Sequence, residues 1–272
     1  MPFGPRMIGE EKTYKALPQV DVQAGDILLC KEFDNQHDGH FDSDNLAIRT
    51  GQAVFSHMRR GSANSEHAEI VFTLGKDGAP GTVAEANGPG VLQSVWAHRD
   101  AVIFRCTNPT LIKEALYVAS RLTAVDTTIS TGSYSFGKAV GGMFRNRGFG
   151  PLAKKYVTDL YNIVYSQDVM QKDQKLQAPS MFCSQFVTAC YEVAAMHTGI
   201  RSLHVAPQAM SVKALEAMLE RNPHVFTKVG RVKEPVAWKG LVSQRASQWN
   251  NFVRYQESGN RFMGGIQPHR LR

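Results

Sequence analysis

The sequence predicts an α+β fold in which an antiparallel sheet packs against helices. Three observations predict it. Short strand-like segments bounded by turns occur between residues 22 and 105, helical periodicity follows from residue 108, and the strongest helical pattern comes late, over residues 182–196. The chain has 272 residues, of which 43% are hydrophobic and 20% charged, so it can bury a sizeable core.

The strands are predicted from apolar runs and alternation. A turn at residues 22–26 leads into a buried strand that ends at Cys30, and residues 46–57 are predicted as a helix. Further strands are predicted at EHAEIVFTL (66–74), TVAEA (82–86) and AVIFR (101–105). KDGAPG (76–81) has the composition of a turn, and the sheet is expected to continue over residues 91–96.

The helices are predicted from apolar residues at helical spacing. Asn108-Pro109-Thr110 opens the first of them, because Asn caps helices and Pro suits their first turn. Others are predicted over residues 152–164, 182–196 and 207–219, and residues 130–151 form a loop rich in Gly, Ser and aromatic residues. After Lys228 the pattern weakens, and apolar residues between 238 and 253 are expected to line one face of a helix.

This order predicts an N-terminal arm (1–21), one large domain (22–230) and a basic extension (231–272). From Arg201 onward, 12 Lys and Arg stand against 4 Glu, a charge of +8 that leaves −1 of the total of +7 for the first 200 residues. The basic third favours an anionic partner or a well-solvated surface, and the pattern does not separate the two. No helix-turn-helix, zinc or RNA-binding sheet motif is present, so a specific nucleic-acid role is not predicted.

Neither a membrane span nor a standard export signal is expected. No apolar run reaches the roughly 18 residues of a transmembrane helix, and the first 20 residues have no apolar core of a signal peptide. We therefore expect a cytoplasmic protein, or one secreted without a cleavable signal peptide, as effectors are. The four cysteines include no CxxC pair, which favours reduced thiols over a disulfide framework or a zinc site.

Cys183 is the candidate nucleophile. It begins the strongest predicted helix, where the helix dipole and free N–H groups stabilise a thiolate. Phe186, Val187 and Cys190 recur behind it at the spacing of a core-facing stripe, so Cys190 is predicted to be a buried packing residue.

His67 is the candidate base, and Glu85 is the candidate residue that orients it. His67 opens one predicted strand, and Glu85 lies within the next, where a carboxylate among apolar residues needs a partner. Pairing the two would fix the tautomer of the imidazole. Glu69 is a rival orienter, although two residues along the same strand it is expected to point parallel to His67.

These segments resemble a known group, the permuted NlpC-type (YiiX/YaeF-like) branch of the papain-like cysteine hydrolases. Gly25-Asp26-Ile27-Leu28, SANSEHAEIV (62–71), VAEANGPGV (83–91) and FCSQFV (182–187) are similar, in this order, to the four motifs of the group. Tyr134-Ser135-Phe136 is similar to its Tyr-rich segment, and Pro207 with Leu215 to its closing stretch. The resemblance covers about residues 22–230. Departures are Glu66, Glu69 and Gln185, at positions where the group usually has other residue types.

The resemblance implies a circularly permuted papain-like fold and acyl transfer through Cys183, His67 and Glu85. Tyr134, Ser184 and Glu69 are the candidate substrate-binding residues, and no metal or other cofactor is needed. The implied activity is that of an amidase or peptidase of bacterial type, cell-wall-directed or effector-like, acting on a peptide, a peptidoglycan fragment or another acyl compound. An acyltransferase or lipid deacylase of the lecithin-retinol-acyltransferase type is the alternative.

A binding module without catalysis is a different class of function. It would use the basic extension on an anionic surface, and the weakly amphipathic stretch 238–255 favours it. Arg145 and Arg147 in the loop could meet an anionic substrate, although a plain surface loop is the simpler interpretation. His37 and His40 are interpreted as residues of a solvated loop rather than as metal ligands.

Overall fold

The computed structural model describes residues 13–31, 65–75, 80–87, 90–96, 100–126, 148–165 and 181–232, which all belong to one compact unit. The predicted helix over 46–57, residues 130–147 of the loop and the stretch 238–253 lie outside the described residues, as do Tyr134, both loop arginines, and His37 and His40. Of the basic extension, only residues 231 and 232 are described.

The described strands form one antiparallel sheet, and helices complete an α+β architecture, as the sequence predicts. The strands are β1 (Ile27–Lys31), β2 (Ser65–Leu74), β3 (Pro80–Asn87), β4 (Gly90–Val95), β5 (Ala101–Cys106) and β6 (Phe226–Val232). Their order across the sheet is β4-β3-β2-β1-β5-β6, and every neighbouring pair is antiparallel. The first strand therefore lies inside the sheet.

Strand β6 is the main correction to the sequence prediction, which saw only a weakening pattern after Lys228. Phe226, Gly230 and Val232 are buried, but the alternation is broken by exposed Lys228. The break is a bulge in β6 itself, because the neighbours Ile103 and Phe104 of β5 pair with Gly230 and Lys228 and leave Val229 as an extra residue. A bulge of this kind disturbs the two-residue period that identifies a strand.

The helices are α1 (Pro109–Asp126), α2 (Pro151–Tyr165), α3 (Cys183–Thr198) and α4 (Val212–Arg221), with a short 3₁₀ turn at Pro207–Ala209. The predicted start of α1 is confirmed, because the Asn108 side-chain oxygen accepts the N–H groups of Thr110 and Leu111 at 3.0 and 3.1 Å. Helix α3 packs on α1, α2, β2 and β3. Its first twelve residues are all buried, which is typical of a helix in the centre of a domain.

The two faces of the sheet carry different cores. Ile27, Leu29, Ala68 and Ile70 face the helices and belong to the large core that also contains α3. The alternate residues of the same strands, such as Leu28, Cys30 and Val71, belong to a smaller cluster on the opposite face, with Trp96. Residues of β2 therefore reach both sides of the sheet, which matters for the site described below.

The entry to β1 depends on close packing. Gly25 has φ +88°, and a Cβ there would lie 2.4 Å from Cγ2 of Ile112 in α1, so only glycine fits. The next residue, Asp26, is buried and accepts two hydrogen bonds from the Arg105 guanidinium, at 2.9 and 2.8 Å. These contacts fix β1 between its two neighbours.

The N-terminal residues contact the far edge of the sheet. Tyr14 lies in the main core, and its hydroxyl donates to the carbonyl of Val232. The amide of Arg231 in β6 donates to the carbonyl of Pro18 at 2.9 Å. Part of the expected arm therefore packs on the domain. None of the described helices is long and apolar enough to cross a membrane.

Candidate active site

Cys183 is the first residue of α3. Phe182 before it has extended backbone angles, and its side chain makes no capping hydrogen bond. The amide groups of the first turn therefore have no side-chain cap from this residue, an arrangement that favours an anion at the helix start. The thiol is 1% exposed, on the helix-facing side of the sheet.

The imidazole of His67 pairs with the carboxylate of Glu85. The distance from Nε2 to Oε2 is 2.5 Å, and both side chains are largely buried. The register brings them together: Ile70 of β2 pairs with Ala84 of β3, so Glu85 lies next to the N-terminal part of β2 and on the same face as His67. With Nε2 engaged by the carboxylate, Nδ1 is the ring nitrogen left for the sulfur.

His67 lowers the pKa of the Cys183 thiol. Burial alone would raise the pKa of the thiol, but the charge of His67 and a hydrogen bond from its side chain lower it, and the net pKa is below the ordinary value. Backbone hydrogen bonds from Ala68 and Ser184 act in the same direction. The site thus stabilises a thiolate beside an imidazolium.

The sheet opens where the helix start meets it. Among the described residues, the β2–β3 pairs run from Ile70↔Ala84 to Leu74↔Pro80. The backbone of Ala68 lies before the first of these pairs and bonds to the sulfur of Cys183. Because β2 separates from β3 at this end, the side chain of His67 on one face of the sheet and the side chain of Cys183 on the other face can come into contact.

Ser94 in β4 holds the far side of Glu85. Its Oγ donates to Oε1 of the carboxylate at 2.5 Å, so the two oxygens of Glu85 serve Ser94 and His67 respectively. Ser94 is not predicted by any motif in the sequence. Its position follows from the β3–β4 register, in which Ser94 pairs with Val83, two residues from Glu85 and on the same face.

Glu69 lies close to the ring, but it does not replace Glu85. Its Oε1 is 3.8 Å from His67 Nε2, beyond hydrogen-bond distance, and accepts the thiol of Cys30 at 3.2 Å. Cys30, for which the sequence predicts no role, pairs with His67 across β1 and β2. Glu69 is 3% exposed.

The Ser184 hydroxyl is engaged within the protein. Ser184 is fully buried, and its Oγ donates to the carbonyl of Met210 at 2.6 Å. This bond connects the first turn of α3 to the segment before α4. The hydroxyl that was predicted from the sequence to bind a substrate is therefore already hydrogen-bonded within the protein. On the next residue, the Gln185 amide donates to the hydroxyl of Tyr156 in α2 at 2.8 Å.

One group of described side chains has the composition of a metal site. The ligand atoms of His67, Glu69 and Glu85 lie within 4.8 Å of one another. Two ligands on one tetrahedral zinc at about 2.0 Å are roughly 3.3 Å apart. The 2.5 Å between His67 and Glu85 is instead a hydrogen-bond distance. We therefore assign these groups to a hydrogen-bonded network and derive no metal chemistry from them.

The chain matches no protein-family model, no curated protein and no solved structure. The functional conclusion therefore depends on the geometry of the site.

Proposed function

We propose that this protein is a cysteine-dependent hydrolase of the permuted papain-like type, an amidase or peptidase that acts through an acyl-thioester on Cys183. The observation that carries the proposal is the position of His67, which acidifies the thiol on one side and pairs with Glu85 at 2.5 Å on the other. Nucleophile, base and orienting carboxylate in this relation constitute a catalytic triad. The order of base before nucleophile along the chain is that of the permuted group.

The chemistry follows from these positions. His67 takes the proton of Cys183, and the thiolate attacks the substrate carbonyl to form a tetrahedral intermediate. The amide of Cys183 at the helix start is placed to donate to the oxyanion. His67 then gives its proton to the leaving amine, the C–N bond breaks, and the acyl group remains on sulfur. Water, deprotonated by His67, attacks the thioester and releases the acid and the free thiol.

Peptide and peptidoglycan amides are the proposed substrates. A fatty acyl ester would undergo the same first step, with an amine or alcohol as acceptor in the case of an acyltransferase. The acceptor distinguishes the two classes of enzyme. A hydrolase releases the free acid from a peptide amide, whereas an acyltransferase accumulates the acylated acceptor only when an amine or alcohol is added.

Alkylation of the cysteines across a range of pH tests the proposal. Cys190 is an internal control, because it lies on the same helix and is also buried, and burial raises its pKa. We expect iodoacetamide to modify Cys183 faster than Cys190 at pH values below an ordinary thiol pKa of about 8.5, with the sites mapped by mass spectrometry. His67→Gln should abolish the difference, and Glu85→Gln should reduce it.

Equal modification of the two cysteines at every pH would contradict the proposal and favour a binding module without catalysis. That module should show steeply salt-dependent binding to anionic vesicles and no thiol-dependent turnover. Residues 233–272, which would carry the basic surface, lie outside the described residues.

A further inference from the structure

Two carboxylates, rather than one, flank the imidazole of the site. The same ring nitrogen, His67 Nε2, lies 2.5 Å from Glu85 and 3.8 Å from Glu69. Both carboxylates are buried, at 6% and 3% exposure. A catalytic triad needs only one orienting group, so the second requires its own explanation.

Each carboxylate has a neutral donor of its own. Ser94 donates to Glu85 at 2.5 Å, and Cys30 donates to Glu69 at 3.2 Å. The four side chains come from β1, β2, β3 and β4, so the network spans four adjacent strands on one face of the sheet. A thiol that donates to a carboxylate stabilises its ionised form.

We propose that Glu69 is a second positioning carboxylate, which holds His67 in its imidazolium form together with Glu85 while Cys183 is a thiolate. This inference rests on the proposed function. A buried carboxylate is costly unless a positive charge lies near it, and His67 Nε2 lies 3.8 Å from Oε1 of Glu69. Lys31, a buried cation at the end of the neighbouring strand β1, is bonded to Glu216.

Among the described residues, the titratable groups around His67 come from four elements of the fold. Glu69 and Glu85 are contributed by β2 and β3, the Cys183 thiol by α3 and the Cys30 thiol by β1, while Ser94 of β4 adds a neutral hydroxyl. The two carboxylates stabilise the imidazolium, whereas their negative charge disfavours the thiolate. The second carboxylate therefore favours the steps in which His67 accepts a proton, first from Cys183 and later from the attacking water.

Glu69→Gln tests the inference, because it removes the charge and keeps both the shape and an oxygen that accepts the Cys30 thiol. We would follow the protonation of His67 by NMR on protein with labelled histidine, assigning the resonance with a His67→Gln sample. The midpoint pH at which His67 loses its proton should fall by about one pH unit, as expected when an opposite charge within roughly 4–6 Å is removed. Glu220→Gln, which removes a carboxylate paired with Lys228 at the surface, is the matched control and should leave the midpoint unchanged.

An unchanged or raised midpoint in Glu69→Gln would overturn the inference, since Glu69 would then be protonated or irrelevant to the ring. If that variant does not fold, Glu69→Asp is the second test. It moves the charge one methylene away and should lower the midpoint by a smaller amount, and an unchanged midpoint again counts against the inference. The alkylation test separates the two proposals: equal rates at Cys183 and Cys190 reject the function, whereas a fast Cys183 with an unmoved His67 midpoint rejects only the role of Glu69.

Discussion

The environment of each thiol, more than its burial, decides its chemistry. Cys183 and Cys190 are seven residues apart on α3, and both are buried. Burial raises the pKa of Cys190 well above its ordinary value, and it also raises the pKa of Cys106. The pKa of Cys183 is lowered instead, because His67 and two backbone hydrogen bonds outweigh the same burial. A reactive cysteine is thus made by its neighbours.

Ser94 offers a test of the orienting network at the scale of one hydroxyl. Ser94→Ala removes the donor 2.5 Å from Oε1 of Glu85, so the carboxylate should hold the imidazole less firmly. We expect the alkylation rate of Cys183 near pH 7 to fall about fivefold, equivalent to about 1 kcal/mol for one hydrogen bond. The rate would be measured by mass spectrometry after timed quenching.

Ser120→Ala is the control for Ser94. Its hydroxyl donates to the carbonyl of Tyr117 within α1, outside the triad and its hydrogen bonds, and its loss should not change the rate. A Ser94→Ala protein as reactive as the wild type across the pH range would show that Glu85 needs no second donor.

At the scale of elements, the sequence predicts individual strands and helices better than it predicts which strands pair. The strands at 66–74, 82–86 and 101–105 and the helix at 182–196 were predictable, because each buries its own apolar residues with a regular period. Strand β6 was missed because a bulge at Val229, defined by pairing with a strand more than 100 residues away, breaks its two-residue period. Ser94 and Cys30 were missed for a related reason, since their places beside the triad follow from strand register, which a single sequence does not state.

Helix α3 also organises the segment that follows it. Glu192 is buried, and its Oε1 accepts the amide of His204 at 2.9 Å. Backbone hydrogen bonds from Leu203 and Val205 also lower the pKa of this carboxylate, yet burial prevails and raises it to about 7. The carboxylate therefore fixes the residues between α3 and the 3₁₀ turn, and the free-energy cost of burying its charge depends on pH.

The raised pKa of Glu192 predicts how stability depends on pH. The folded state binds the proton of Glu192 more tightly than the unfolded state does. The stabilisation that this proton gives the fold is therefore fully present below the ordinary pKa of 4.5 and is lost as pH rises to about 7. Glu192→Gln has no proton to lose, so the difference in the free energy of unfolding between the two proteins should change across this window. We expect a change on the order of 3 kcal/mol, at about 1.4 kcal/mol per pKa unit.

Urea unfolding of both proteins at intervals from pH 4.5 to 8 measures this difference. Glu220→Gln removes a carboxylate that is 44% exposed and should run parallel to the wild type. If Glu192→Gln also runs parallel to it, Glu192 is ionised in the folded protein throughout, and its pKa is not raised.

At the scale of the whole molecule, a buried ion pair joins the first strand to the last helix. Lys31 at the end of β1 donates to both carboxylate oxygens of Glu216 in α4, at 2.8 and 2.9 Å, and both side chains are at most 4% exposed. The two residues are 185 positions apart. The sequence could not reveal this pair, because Lys31 stands alone after an apolar strand and Glu216 has the spacing of an ordinary helix residue.

Removing one partner of this pair should destabilise the fold strongly, whereas replacing both partners with apolar residues should destabilise it little. Lys31→Met leaves Glu216 buried without its cation, and we expect a loss of about 3–5 kcal/mol in the free energy of unfolding. The double variant Lys31→Met, Glu216→Leu replaces both charges with apolar side chains of similar size and should recover most of that loss. Urea unfolding of the wild type, both single variants and the double variant forms a complete cycle.

The surface pair Lys155–Asp159, whose side chains are 72% and 55% exposed, provides the comparison. Lys155→Ala should cost less than about 0.5 kcal/mol, as exposed helix pairs do. A double variant less stable than either single variant would contradict the argument, because it would mean that the ion pair stabilises the fold by more than the cost of burying its charges. Since α4 follows directly on the segment bonded to Ser184, the same measurement on Cys183 alkylation shows whether docking of the last helix also sets the position of the nucleophile.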